Sequence, residues 1–206
     1  MSIDRRTLLA GWAAGLLAAC GSTPPEAAES APAEATPAAE SSFIPADFEP
    51  PVLWEGDGFK VVPLGPDLAK IDYDAYMSSI EHLQKTFSYS TRWPNAEVTM
   101  EDAYEDMDNE KRRFDSRESF AYAVLTPDGT RERGCVYVRP SSKQGYDAAV
   151  RLWVTQQEFD AGFDEELDAA VKEWIPEAWP FLENVAYPGR EISMEEWRAL
   201  PDKSSD

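Results

Sequence analysis

The chain has 206 residues, of which 39 are acidic and 19 basic, giving a net charge of −20; 43% of its residues are hydrophobic and 12% aromatic. So acidic a chain is repelled by nucleic-acid phosphates and anionic headgroups, which excludes both as electrostatic partners. One histidine, two cysteines and no G-x-S-x-G leave nothing on which to build a Ser-His-Asp triad or an ordinary zinc site, and no metal site is expected.

The first twenty residues read MSIDRRTLLAGWAAGLLAAC. Arg5-Arg6 followed by Thr7-Leu8-Leu9 resembles the twin-arginine export signal, which carries folded proteins. Leu17-Ala18-Ala19-Cys20 resembles the lipobox of bacterial lipoproteins, in which the cysteine is acylated and becomes the first residue. The apolar run between them falls short of the roughly 20 residues a bilayer span needs, so residues 1–19 read as a removable signal peptide and not a retained helix. The resemblance implies a lipid on Cys20 and a place in the cell envelope. Gly21 stands where inner-membrane retention would have aspartate, which points to the outer membrane, facing the periplasm. Cleavage removes Arg5, Arg6 and Asp4 and leaves the mature chain at −21.

Residues 20–50 carry the lipidated end and an Ala/Pro/Glu/Ser-rich stretch with few apolar side chains to offset the entropy of ordering. A disordered spacer reaching on the order of 30 Å is expected there. With Cys20 committed to lipid, Cys135 has no intramolecular partner and no disulfide forms. That suits a domain folded in the reducing cytosol before export. The domain is expected over residues 51–190, followed by a tail at 191–206.

Within the domain, residues 58–64 read as a strand that Gly65-Pro66 breaks. From Asp67, the positions Leu68, Ile71, Ala75, Tyr76, Ile80 and Leu83 follow helical spacing. A loop holds Trp93-Pro94. Thr99, three before Asp102, caps a second helix with Met100, Tyr104, Met107 and Phe114 on one face. Residues 120–125, the turn Pro127-Asp128-Gly129 and residues 134–138 make a hairpin, and 148–154 another strand. A helix from Asp164 turns Leu167, Ala170, Val171, Trp174 and Ile175 inward and ends at Pro176. A short strand at 184–187 stops at Pro188-Gly189, and Trp197 marks at most one further helical turn. The class is α+β: a central, mostly antiparallel sheet with helices on both faces, in a single domain.

This element order, together with FAYAVLTPDG, GCVYVRPS, GYDAAVRLWV and VAYPGR, resembles the GCN5-related N-acetyltransferase (GNAT) superfamily over residues 59–190. The resemblance implies acyl-CoA-dependent N-acyl transfer with acetyl-CoA as the cofactor. In that superfamily the fourth strand enters a Q/R-x-x-G-x-G/A loop whose backbone N–H groups hold the pyrophosphate. Counted from Val154, the three motif positions fall on Phe159, Gly162 and Asp164, and only Gly162 matches. Asp160, Asp164, Glu165 and Glu166 would repel a pyrophosphate, at about 4 kcal/mol per pair at 4 Å for an effective dielectric near 20. The backbone of Trp153 and Val154 is where a pantetheine arm would pair with a splayed strand edge. No catalytic residue is assignable, and Tyr187 reads as a core strand residue. The expectation is a GNAT-like domain with a degraded or altered cofactor site. Two functions stay open: N-acyltransferase, or a non-catalytic, lipid-anchored binding or scaffold module.

The remaining candidates have plain readings. His82 is a helix-surface or packing histidine, and Cys135 an inert buried thiol. The run from Asp106 to Glu110 has a calcium-loop look, but Lys111 sits where glycine is required, so a solvated helical face is expected. Trp93, Trp153, Trp174 and Trp179 serve a core or a ligand groove, the core being the commoner use. For the leader, Cys20→Ala is expected to leave a soluble, unlipidated protein, and Arg5→Lys with Arg6→Lys to block export. Fractionation and mass spectrometry of the mature N-terminus check both; normal export of the double-lysine form removes the twin-arginine assignment.

Overall fold

The computed structural model describes residues 43–87 and 92–204; Arg5, Arg6, Cys20 and most of the spacer lie outside the described residues. Six strands form one sheet in sequential order: β1 (Trp54–Gly56), β2 (Phe59–Pro63), β3 (Phe120–Leu125), β4 (Glu132–Pro140), β5 (Ala148–Val154) and β6 (Val185–Ala186). Neighbours from β1 to β5 are antiparallel, whereas β6 runs parallel to β5. The sheet is therefore mixed, because the β5–β6 connection is a helical crossover and not a hairpin.

Alternation along the strands assigns the two faces. Phe120, Tyr122 and Val124 of β3, with Val136, Val138, Val150 and Leu152, pack against α5 (Phe163–Ala178). Ala121, Ala123 and Leu125, with Cys135 and Trp153, meet the helices of the other face: α1 (Ala69–Met77), α2 (Ile80–Thr86) and α3 (Met100–Asp115). All six residues of β3 are buried. Gly134 lets β4 and β5 approach closely, since a Cβ there would lie 2.0 Å from the Trp153 carbonyl oxygen.

Local differences from the sequence expectation have local causes. The helix expected from Asp67 is a 3-10 turn (Pro66–Leu68) followed by α1 and α2, broken where Ser78 Oγ donates to the Ala75 carbonyl at 2.6 Å. Such side chains compete with the helical backbone. The Thr99–Asp102 capping box is present. The buried face of α3, however, is Ala103, Met107 and Glu110, and Tyr104 is 49% exposed. The helix approaches through its small residue, which a count of large apolar side chains passes over. Strand β1 and helix α4 (Gln156–Asp160), capped by Thr155, were not expected. Pro176 lies inside α5 and does not end it, because a missing N–H in the last turn costs only one bond.

The folded part begins before residue 51. Ile44 is 1% exposed, Phe43 packs on Phe120, and Phe48 packs on Trp179 and Phe181. Arg117, with φ of 65°, donates to the Pro45 carbonyl at 2.7 Å. Residues 43–50 thus belong to the domain and not to the spacer. The tail also docks: α6 (Met194–Ala199) sets Trp197 on Tyr146, and Asp202 pairs with Lys143 at 2.8 Å. Among the described residues no helix is long and apolar enough to cross a membrane.

If residues 43–50 are structural, Ile44→Ala should destabilise the domain by about 2–5 kcal/mol, the range for emptying a buried isoleucine site. Urea unfolding monitored by tryptophan fluorescence checks this; an unchanged midpoint would show that the segment is not part of the cooperative unit.

Candidate functional site

Trp153 and Val154, at the end of β5, are buried and pair through Cys135 and Gly134 with β4. On the other side of β5 the partner strand is short. Only Ala148 and Ala149 pair with β6, so from Val150 onward β5 has no neighbouring strand on that side. That open edge is the splay a pantetheine arm would need.

The connection that follows is already satisfied by the protein. Thr155 N–H donates to the Arg133 carbonyl (2.9 Å) and Gln156 N–H to Ser79 Oγ (2.9 Å), while Glu158 N–H is capped by Thr155 Oγ1 (3.3 Å). Glu158 is buried and held by Arg131 (2.6 Å) and Arg133 (2.5 Å), with Arg133 stacked on Phe163. Gly162 adopts φ +86° as the N-cap of α5, and a Cβ there would meet nothing within 4 Å. The first turn of α5 carries Asp164, Glu165 and Glu166. Asp164 is clasped by Arg190 through two hydrogen bonds (2.8 and 3.0 Å), which ties α5 to the segment after β6. His82 is hydrogen-bonded to the Val154 backbone and lies tilted against the Phe159 ring, and burial holds its pKa below the usual value. It is a packing histidine over this connection. Trp153, Val154 and Gly162 therefore lie along one path, on which the N–H groups of Thr155, Gln156 and Glu158 are taken by the protein.

The sequence did not single out a cavity of about 530 Å³ on the opposite face. Tyr137 and Arg139 of β4 and Ala149 and Arg151 of β5 line its floor; α3 contributes Asp106, Met107, Glu110 and Arg113, and Asp72, Phe87, Arg92 and Trp93 complete it. Of the run expected on a solvated face, Glu110 is buried because α3 lies across the sheet there, whereas Asp106 lines the cavity and is solvent-exposed. Glu110 is buried between Arg113 (2.9 Å) and Arg139 (3.1 Å). Arg151 lies over the Phe87 ring, and burial followed by the nearby Arg139 charge lowers its pKa. Of the four tryptophans, Trp153, Trp174 and Trp179 are core, and Trp93 lines the cavity. Arg151 did carry a signal in the sequence: a charged residue inside the otherwise apolar AAVRLWV strand.

Beneath the cavity lies a buried cluster. Cys135 S–H donates to Glu132 Oε1 at 2.9 Å, with Asp72 Oδ1 at 3.6 Å. The ligand-type atoms of these three side chains all lie within 4.8 Å of one another. The thiol is buried, as expected, and its polar neighbours are acidic. Burial pushes Asp72 up to about 6, and burial together with the Asp72 charge raises Glu132 well above the ordinary carboxyl range. Both shifts favour the protonated carboxyls, and the two side chains are close enough to share a hydrogen bond. The Cys135 thiol is raised by burial and then by both carboxyls, so it stays protonated and is no nucleophile.

A carboxyl whose pKa is raised on folding contributes stability at low pH and loses it as pH climbs through the folded value. For Asp72 the window runs from 3.8 to about 6, and for Glu132 it opens above 4.5 and extends to its raised value. Glu132→Gln keeps the shape without the ionisation. The melting temperature of wild type relative to E132Q should therefore fall from pH 5 to pH 9; a difference constant with pH would show that Glu132 does not titrate in the fold.

No protein-family model matches the chain, and no curated protein matches it in sequence. Solved structures do match in shape. Ribosomal-protein-S5-alanine acetyltransferase from Vibrio fischeri superposes with a TM-score of 0.51 at 14% identity, covering 72% of this chain and 81% of that one. A structure described as a probable acetyltransferase superposes at 0.50 with 17% identity, covering 72% and 79%. At such identities the likeness concerns architecture alone. The domain has the fold of the GNAT acetyltransferases.

Proposed function

We propose that the chain is a lipid-anchored protein of the bacterial envelope whose GNAT-fold domain binds a ligand in its charged cavity without transferring an acyl group. The observation that carries this reading is the state of the β5–α5 connection. Its backbone donors at Thr155, Gln156 and Glu158 are spent on the protein itself, and three carboxylates occupy the first turn of α5. A pyrophosphate would have to displace hydrogen bonds worth about 1 kcal/mol each and then lie against like charge. The cavity, by contrast, is open and chemically differentiated. The leader supports the envelope assignment through Arg5, Arg6 and Cys20, and a twin-arginine route would export the domain already folded. The mature charge of −21 agrees with a partner that is neither nucleic acid nor an anionic membrane surface.

Acyl transfer is the second reading, favoured by one observation: β5 beyond Ala149 keeps an unpaired edge of the kind a pantetheine arm occupies. Acetyl-CoA would then lie along Val150 to Val154 toward the cavity.

Thermal melting with and without millimolar acetyl-CoA separates the two. The expected result is an unchanged melting temperature. A ligand at a hundred times its dissociation constant would stabilise the domain by about 2.7 kcal/mol, and a shift of that size, saturating at micromolar concentration, would overturn the non-catalytic reading.

A further inference from the structure

Four acidic side chains are buried among the described residues: Asp72, Glu110, Glu132 and Glu158. Two of them are bracketed by arginines, Glu110 by Arg113 and Arg139, and Glu158 by Arg131 and Arg133. Asp72 and Glu132 are not. Among the described residues no basic side chain forms an ion pair with either, and the ionisable groups that act on them are acids: Asp106, Glu110, Cys135 and each other. Glu132 is 1% exposed, and its Oε2 has no hydrogen-bond donor. Buried acids need a counter-charge or a proton. The domain supplies guanidiniums to the other two and no cation to this pair.

We infer that Asp72, Glu132 and Cys135 form a binding site for a divalent transition-metal ion of the zinc type, which ties α1 to β4. The ligand-type atoms converge: all three lie within 4.8 Å of one another on side chains that are buried. Bonds of about 2.3 Å to sulfur and about 2.1 Å to oxygen at tetrahedral angles set sulfur and oxygen about 3.6 Å apart. Asp72 Oδ1 is 3.6 Å from the Cys135 sulfur, and Glu132 Oε1, at 2.9 Å, moves outward once the thiol proton between them is lost. On binding, the thiol proton and any proton the carboxyls hold pass to solvent, and each freed lone pair is donated to the metal. A thiolate in the set selects zinc over magnesium or calcium, which take oxygen ligands. Asp72 lines the large cavity, and Glu132 lines a second one of about 260 Å³ beside Ser78, Thr130 and Thr155. The ion therefore has a route in, and a solvent molecule has a place at the fourth position. Asp72 lies 63 residues from Cys135 along the chain, so the set forms no motif and none was expected from the sequence. The site does not depend on what the cavity binds.

The test uses the full chain carrying Cys20→Ala, which leaves Cys135 as its one thiol. Metal is removed with a chelator, the thiol is kept reduced with a phosphine, and Co²⁺ is added as a spectroscopic probe. A thiolate-to-cobalt charge-transfer band in the near ultraviolet should rise and saturate at one equivalent, and Zn²⁺ should abolish it by displacement. Surface carboxylates cannot produce that band, so the acidity of the chain does not mimic the result. Cys135→Ser should remove the band. Asp72→Asn and Glu132→Gln should each weaken Co²⁺ binding at least tenfold, the lower end of what losing even an outer-shell partner does. Zn²⁺ should raise the melting temperature of the parent chain by more than that of Cys135→Ser, and melting curves without metal verify that each variant is folded. No charge-transfer band at millimolar Co²⁺, or an undiminished band in both carboxyl variants, would overturn the inference, and so would equal Zn²⁺ shifts with and without the thiol.

Discussion

A sheet buried on both faces is the constraint from which the rest of the molecule follows. Strand β3 has no solvent-exposed residue, so each side chain on it has to be matched by a helix above or below. The two faces are built differently. On one, Phe120, Tyr122 and Val124 meet Trp174, Trp179 and the aromatic residues at the start of the domain, filling a thick layer. On the other, Ala121, Ala123 and Cys135 are small, and α1 and α3 come in close. Close approach brings polar groups from α1 and α3 into a region with little water, where each must find a partner or keep its proton. The Asp72–Glu132–Cys135 cluster and the Arg113–Glu110–Arg139 bridge are the two solutions seen there. The first favours the protonated form of its acids, and the second pairs its acid with two guanidiniums.

The C-terminal end of β5 shows how the connection from strand to helix is held. An open strand edge and a helix beginning at a left-handed glycine are both present. Between them, a short capped helix has been fitted, Ser79 has reached across from the break between α1 and α2, and Arg190 has locked onto Asp164. Thr155 and Ser79 take backbone donors of the connection, and Arg190 neutralises Asp164 while tying α5 to the segment after β6.

Much of the fold was legible in the sequence because it rests on local rules. Alternation along FAYAVL, the Pro127-Asp128-Gly129 turn and the Thr99–Asp102 capping box predicted strands, hairpin and helix start, and single-residue φ/ψ preference was enough to place them. Legibility failed where the deciding contact was distant in sequence. Phe43, Ile44 and Phe48 look like the end of a spacer until Trp179 and Phe120 are seen beneath them. Tyr104 was misplaced because only the position of α3 over the sheet reveals that Ala103 is the inward residue.

The site divides in the same way. The acidity of the loop after β5 could be read from Asp160, Asp164, Glu165 and Glu166, but not that Arg190 pairs with Asp164. The sequence by itself determined the acidity and the domain class, both consequences of composition and short-range pattern. Only the tertiary structure decided that Asp72, Glu132 and Cys135 share a proton-bearing cluster. It alone, too, brought Asp72, Asp106, Arg139 and Arg151 to the lining of one cavity. Those groups lie up to 79 residues apart along the chain, and the energy of a buried charge depends on its distance to other charges and to water. Packing sets both distances.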